Sequence, residues 1–332
     1  MIYYRTENIF NREYYDEKID FIKGFCILSV ILNHCVEHLK EILFPIWGSP
    51  AVALFLIIQI FHSYKKSSVS IIKWNYIWVK IFKPFLIVQL ILAIIWFFFS
   101  DLSSIDQIKL MCYSGGKGPG AYYVWVYVQI AFLIPIIFPI FKFFKSSIVL
   151  FFIVVSELSE MFFCLLHVPL YIYKLLCLRY LFLFYFGYIL STSEFIISNK
   201  TLLVSFISLL CLIIFSYGEW NFYPFFYNHP HFTTCHWPCY YFISTILLFL
   251  FVLLNGYLVS NHSKISNFIC YIGKNSYSIF LAQMFYFSLM DLFPLRPFCD
   301  RFFSGLIGEI VYAIFSVCVC LFPVYLKKNS LE

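Results

Sequence analysis

The apolar residues of this chain are gathered into long unbroken runs, and that grouping constrains the fold more than any motif does. "FLIVQLILAIIWFFF", residues 85–99, carries Gln89 as its one amide or charged side chain. A helix crossing the hydrocarbon core of a bilayer needs about 20 consecutive apolar residues. Runs of this kind recur at 21–40, 49–64, 83–100, 122–141, 147–165, 174–191, 201–217, 239–259, 275–293 and 304–326. They predict an all-α, polytopic transmembrane bundle of about ten spans, with residues 1–332 forming a single membrane domain. Composition agrees, with 62% of residues hydrophobic and 12% charged, against about 25% charged in soluble domains.

The basic residues orient the bundle. With a cytoplasmic N-terminus, sixteen Lys and Arg fall on the N-terminal side, among them Lys23, Lys65, Lys66, Lys80, Lys83 and Lys274. Seven fall on the other, namely Lys40, Lys109, Lys117, Lys174, Arg179, Arg296 and Arg301. Cytoplasmic loops carry the excess of basic residues, so both termini are expected inside. Topology therefore accounts for the net charge of +6, and no nucleic-acid partner is implied. The polar N-terminus "MIYYRTENIFNREYYDEKID" does not read as a removable signal peptide. Most of the twelve cysteines sit in apolar runs, where thiols act as small hydrophobes and not as a disulfide framework. Two outer segments are long. One contains the turn-rich tip "GGKGPG", and the other is the aromatic stretch "YGEWNFYPFFYNHPHFTTCHWPC".

Chemistry enters at "KGFCILSVILNHCVEH", residues 23–38. Lys23 and His34 are eleven residues apart, almost three helical turns, so they share a face and stand roughly 16 Å apart along the axis. That span matches an extended pantetheine arm. A cation at the inner interface would hold the phosphates of an acyl carrier while the histidine meets its thioester. Asp20, one turn before Lys23, is placed to position the ammonium. The plainer reading is a snorkelling lysine and an interfacial histidine. "HCVEH" also fits the H-x-x-E-H pattern of inverted zinc proteases. Its missing partner is a third ligand: no glutamate occurs between Glu41 and Glu157, and Asp101 and Asp106 fall in an outer loop. No metal is expected. "HPHFTTCHWPC" likewise matches no common zinc spacing. A second basic pair, Lys80 and Lys83 in "KIFKP", precedes the third span, where Pro84 suits a first helical turn. It reads as membrane anchoring or as a phosphate clamp acting with Lys23.

Taken together, these blocks resemble the acyltransferase 3 family, integral-membrane enzymes that acylate sugars and polysaccharides. A basic residue, ten others and a histidine in the first span resemble its signature, and "KIFKP" is similar to its basic-x-x-basic motif. "GPGAYYVWVYVQIAFLIPII" is similar to its fourth span, and "IGKNSYSIFLAQMFYF" to its glycine-lysine-x-serine block. The resemblance implies acyl-CoA as donor, held by Lys23, Lys80 and Lys83. It also implies an O-acetyltransferase acting on a cell-surface or lipid-linked saccharide, in the bacterial inner membrane and in contact with its lipids. His34 would be the general base or the acyl carrier, Glu37 its partner, and Tyr123 and Trp125 substrate contacts. The chain departs from the pattern in having lysines where arginine is usual, Gln283 where many members have histidine, and no glutamate in "CLFPVYL".

Glu157 and Glu160, three apart on the fifth span, are read either as saccharide contacts or as partners of Arg179 or Lys174. Gln59, Gln89 and Gln129 are expected to be hydrogen-bonding glue between helices. A non-enzymatic carrier or flippase for a lipid-linked saccharide is the alternative function.

Overall fold

The computed structural model describes residues 12–36, 49–65, 74–100, 104–144, 148–191, 263–303 and 305–329. These residues are helices and their connections. α1 (Arg12–Cys35) and α2 (Ser49–Lys65) stand at the first two expected spans. The third is α3 (Lys83–Phe99), preceded by a helical turn at Trp74–Ile77 and a π-helical turn at Trp78–Phe82. α4 (Ser104–Ser114), α5 (Tyr122–Phe144), α6 (Ile148–Leu165) and α7 (Leu183–Ser191) follow. The C-terminal part holds α8 (Lys264–Lys274), α9 (Ser276–Leu292), α10 (Arg296–Phe302) and α11 (Leu306–Asn329). Trp74–Phe99, Tyr122–Phe141 and Leu306–Leu326 are long and apolar enough to cross a membrane. The spans expected at 201–217 and 239–259 lie outside the described residues, as do Glu37, His38 and the histidines and cysteines of 229–239.

The outward faces are those of a lipid-facing bundle. Leu90, Ile94, Phe97, Phe98 and Phe99 on α3, Phe132, Ile136 and Phe143 on α5, and Ile314 and Phe322 on α11 are all exposed. So much contiguous apolar surface is unstable in water and stable in hydrocarbon. Inside, one core joins α2, α5 and α7 through residues such as Leu56, Ile60, Ile130, Phe141 and Phe184. The other joins α1, α3, α9 and α11 through Ile27, Ile31, Phe85, Ile279, Met284 and Cys320.

The expected helix 174–191 is broken. A 3-10 turn occupies Cys177–Tyr180 before α7 begins. The cause lies on α5, where Gln129 Nε2 donates to the Leu175 carbonyl at 2.6 Å and Oε1 accepts from the Cys177 N–H at 3.1 Å. One amide thus satisfies two backbone groups that a continuous helix would have paired, and irregular backbone at membrane depth requires such partners. Gln59 acts in the same way, donating to the Tyr127 carbonyl at 2.8 Å. The expectation of glutamine glue holds for both.

Among the described residues, α1 and α8 approach each other backbone to backbone. The Ser263 side chain caps α8 by accepting from the Ser266 N–H at 3.1 Å. The Cys270 thiol donates to the Glu17 carbonyl at 3.4 Å. A Cβ on Gly273 would overlap the Asp20 carbonyl, and one on Gly24 would overlap the carbonyl of Ile269. Neither glycine is needed for an unusual φ; each is needed so that two backbones can approach. Gly273→Ala should therefore cost about 1–3 kcal/mol, as overpacking does. A lowered thermal midpoint in detergent is the expected result, and an unchanged midpoint would contradict the contact.

Candidate active site

The glycine contact gathers basic residues at one end of the bundle. Lys23 adjoins Gly24 on α1, and Lys274 follows Gly273 at the end of α8. The Lys23 ammonium is 3.1 Å from the Asp20 carboxylate, with both side chains largely buried. Asp20 was expected to position it on helical spacing alone. Lys80 and Lys83 reach the same end by another route. Pro84 lacks an N–H and its ring crowds the carbonyl four residues back, so the chain before α3 cannot close as a regular α-helix. It widens instead into the π-helical turn, in which the Lys83 N–H donates to the Trp78 carbonyl. The Ile81 carbonyl, between the two lysines, accepts from the Tyr277 hydroxyl at the start of α9. Lys80 and Lys83 remain exposed. The two motif blocks, "KIFKP" and "GKNSYS", are thus joined by a direct hydrogen bond that sequence spacing could not show.

Both α1 and α9 run from this basic end toward the far end. There the His34 ring lies 5.2 Å from the ring of Phe287. His34 is exposed, whereas its neighbour Cys35 is fully buried, with its thiol donating to the Ile31 carbonyl at 3.3 Å. Behind it, Tyr286 and Ser316 share a hydrogen bond of 3.0 Å. Arg296 donates to Glu309 at 3.1 Å, and that carboxylate is 2% exposed. Neither pair was singled out from sequence. Glu309, a carboxylate opening the apolar run "EIVYAIF", was the one signal available.

Between the two ends lies the segment read from sequence as an outer loop tip. The expected turns are present, but they pack inside the bundle and do not project as a free tip. Gly115 and Gly116 are buried, and Gly118 packs against Met284 and Ser288 of α9. Four glycines, at 115, 116, 118 and 120, take positive φ of 76°, 138°, 96° and 81°, which side-chain-bearing residues rarely adopt. Gln89 holds the loop with two bonds, donating to the Lys117 carbonyl at 3.0 Å and accepting from its N–H at 2.6 Å. Trp125 Nε1 donates to the Gly115 carbonyl. Gln89 lies six residues beyond Lys83, or roughly 9 Å along α3. The loop therefore re-enters the bundle. Tyr123 and Trp125 come with it: Trp125 packs edge-on against Phe82 at 5.3 Å, and Tyr123 against Phe280 at 5.7 Å. They stand near the lysine-bearing turn and not at the far end.

Glu157 and Glu160 are on α6, whose Ser156 hydroxyl donates to the Leu178 carbonyl at 2.9 Å. That bond brings their stretch of α6 to the 3-10 turn, whereas His34 belongs to the α1–α9 side of the bundle. Among the described residues, no group of three or more His, Cys, Asp or Glu is placed to hold a metal.

The loop's position depends on Gln89. Gln89→Leu would leave the Lys117 N–H and C=O without their partner at about 1–3 kcal/mol per orphaned group. Trypsin should then cut at Lys117 in detergent, where the wild type resists. Equal resistance in both proteins would contradict the clamp.

No curated protein matches the chain, and no solved structure does. A family model described as an acyltransferase domain matches residues 16–325, which include the lysine-bearing end, the re-entrant loop and His34. The chain belongs to the acyltransferase 3 family of integral-membrane acyltransferases.

Proposed function

We propose that this protein moves an acetyl group from cytoplasmic acetyl-CoA to a hydroxyl of a cell-surface or lipid-linked saccharide. Both termini and the basic end would face the cytoplasm of a bacterial inner membrane. The observation that carries the reading is the pairing of a basic end, built by Asp20–Lys23 and Tyr277–Ile81, with His34 on the same face of α1. Lys23, Lys80 and Lys83 hold the donor's phosphates as point charges. The pantetheine arm follows α1 toward His34.

At His34 the acceptor hydroxyl gives its proton to the imidazole, and its oxygen attacks the thioester carbonyl. The C–S bond breaks, and the departing thiolate takes the proton back as the CoA thiol. The equivalent covalent route forms an acyl-imidazole first, releases the thiol, and then passes the acyl group to the sugar oxygen. Histidine suits either role because its unperturbed pKa lies near neutrality. Glu37 is assigned to orienting the imidazole. Tyr123 and Trp125 are assigned to the middle of the donor path, and Glu157 and Glu160 to the acceptor.

His34→Ala should abolish transfer while radiolabelled acetyl-CoA still binds to the purified protein. Alanine at Lys23, Lys80 or Lys83 should weaken donor binding by about 1.5–3 kcal/mol each, and arginine at 80 or 83 should restore most of it. Near-normal transfer by His34→Ala would overturn the mechanism. Absence of any acetyl-CoA consumption by the wild type would favour the carrier reading instead.

A further inference from the structure

The far end of the bundle holds a group of side chains that the donor mechanism does not use. Lys117 is carried by the re-entrant loop, and its backbone is fixed by both bonds to Gln89. Its ammonium sits over the Trp96 ring of α3, 3.2 Å from the centroid. Asp291, near the end of α9, is exposed and close enough to act electrostatically on Lys117. The ammonium nevertheless rests on the indole and does not close a direct ion pair with that carboxylate. Asp291 lies one helical turn beyond Phe287, so the two share a face of α9. Phe287 in turn carries the contact to His34. Lys117 and Trp96 thus meet directly, and Asp291 stands within electrostatic range of the ammonium on the face of α9 whose Phe287 touches His34.

We propose that Lys117, Asp291 and Trp96 form an acceptor subsite, separate from Glu157 and Glu160, that binds a saccharide through a vicinal diol. This rests on the acyl-transfer reading above. The chemistry is complementary. A carboxylate only accepts hydrogen bonds and an ammonium only donates them, so the pair reads two adjacent hydroxyls, each of which can do both. Charge-assisted bonds of this kind are about twice as strong as neutral ones. The indole offers an apolar face to the C–H side of a sugar ring and holds the ammonium until the sugar takes it. A third hydroxyl of the same or the next residue is then presented to His34. A structural ion pair would close its charges on each other, whereas this arrangement leaves them to be bridged by a ligand.

The test uses cells deleted for the chromosomal gene and supplied with variants of the full chain. Acetyl esters released from the envelope saccharide by mild alkali are the readout, and detergent-extracted protein gives [14C]acetyl-CoA binding. Lys117→Met keeps the aliphatic stem on Trp96, and Asp291→Asn keeps the shape of the side chain. Each should lower ester content at least tenfold while donor affinity stays within twofold. The exchange Lys117→Asp with Asp291→Lys should not rescue, because the sugar, not the partner charge, is what each group meets. Wild-type ester levels in both single variants, or full rescue by the exchange, would overturn the subsite. If the wild-type gene itself restores no ester, the transfer reading falls, and the subsite falls with it.

Discussion

The contact of two helix backbones at Gly24 and Gly273 sets the geometry on which the rest depends. Because no side chain separates α1 from α8 there, Lys23 and Lys274 are fixed at one level. The start of α9, which follows at once, is fixed with them. Tyr277 can then reach the Ile81 carbonyl and hold the π-helical turn against the start of α9. Ten residues farther along α1 the same alignment delivers His34 to Phe287. A single close approach thereby relates a basic end to a histidine at the opposite end. Helix association within a membrane lacks a hydrophobic drive and relies on close packing of this kind.

The second constraint is the accounting of backbone hydrogen bonds at membrane depth. Among the described residues, three departures from α-helix have partners that can be named: the π-helical turn, the break before α7 and the re-entrant glycine loop. Each has named partners, respectively Tyr277, Gln129 and the pair Gln89 and Trp125. Irregular backbone survives in hydrocarbon only where protein groups satisfy it. Two of these departures, the π-helical turn and the re-entrant loop, pack against α9, whose Phe287 touches His34.

Much of this was legible in the sequence. Long apolar runs announce helices, and a lysine and an aspartate three apart on a helix are neighbours whatever surrounds them. The i, i+11 relation of Lys23 to His34 is local in the same sense. Glutamines in apolar runs also signalled their role, because an amide in hydrocarbon must find a partner, though not which partner. The depth of "GGKGPG" was not legible. Glycine-rich turns look alike whether water or a helix bundle surrounds them, and only the tertiary bonds to Gln89 distinguish the two. For the same reason 174–191 read as one helix: its break is imposed by Gln129, 46 residues from Leu175. Tyr277, Phe287 and Glu309 acquire their significance only from partners far away in sequence.

The central claim is that donor and acceptor meet His34 from opposite ends of one bundle. Sidedness tests it most directly. In proteoliposomes with the protein in a single orientation, [14C]acetyl-CoA would be supplied only on the side carrying the termini, and a lipid-linked saccharide fraction from the native membrane incorporated in the bilayer. The account predicts that acetyl ester forms on saccharide exposed on the opposite side, and that donor supplied there instead gives none. Equal transfer from both sides, or ester confined to the donor's side, would contradict it.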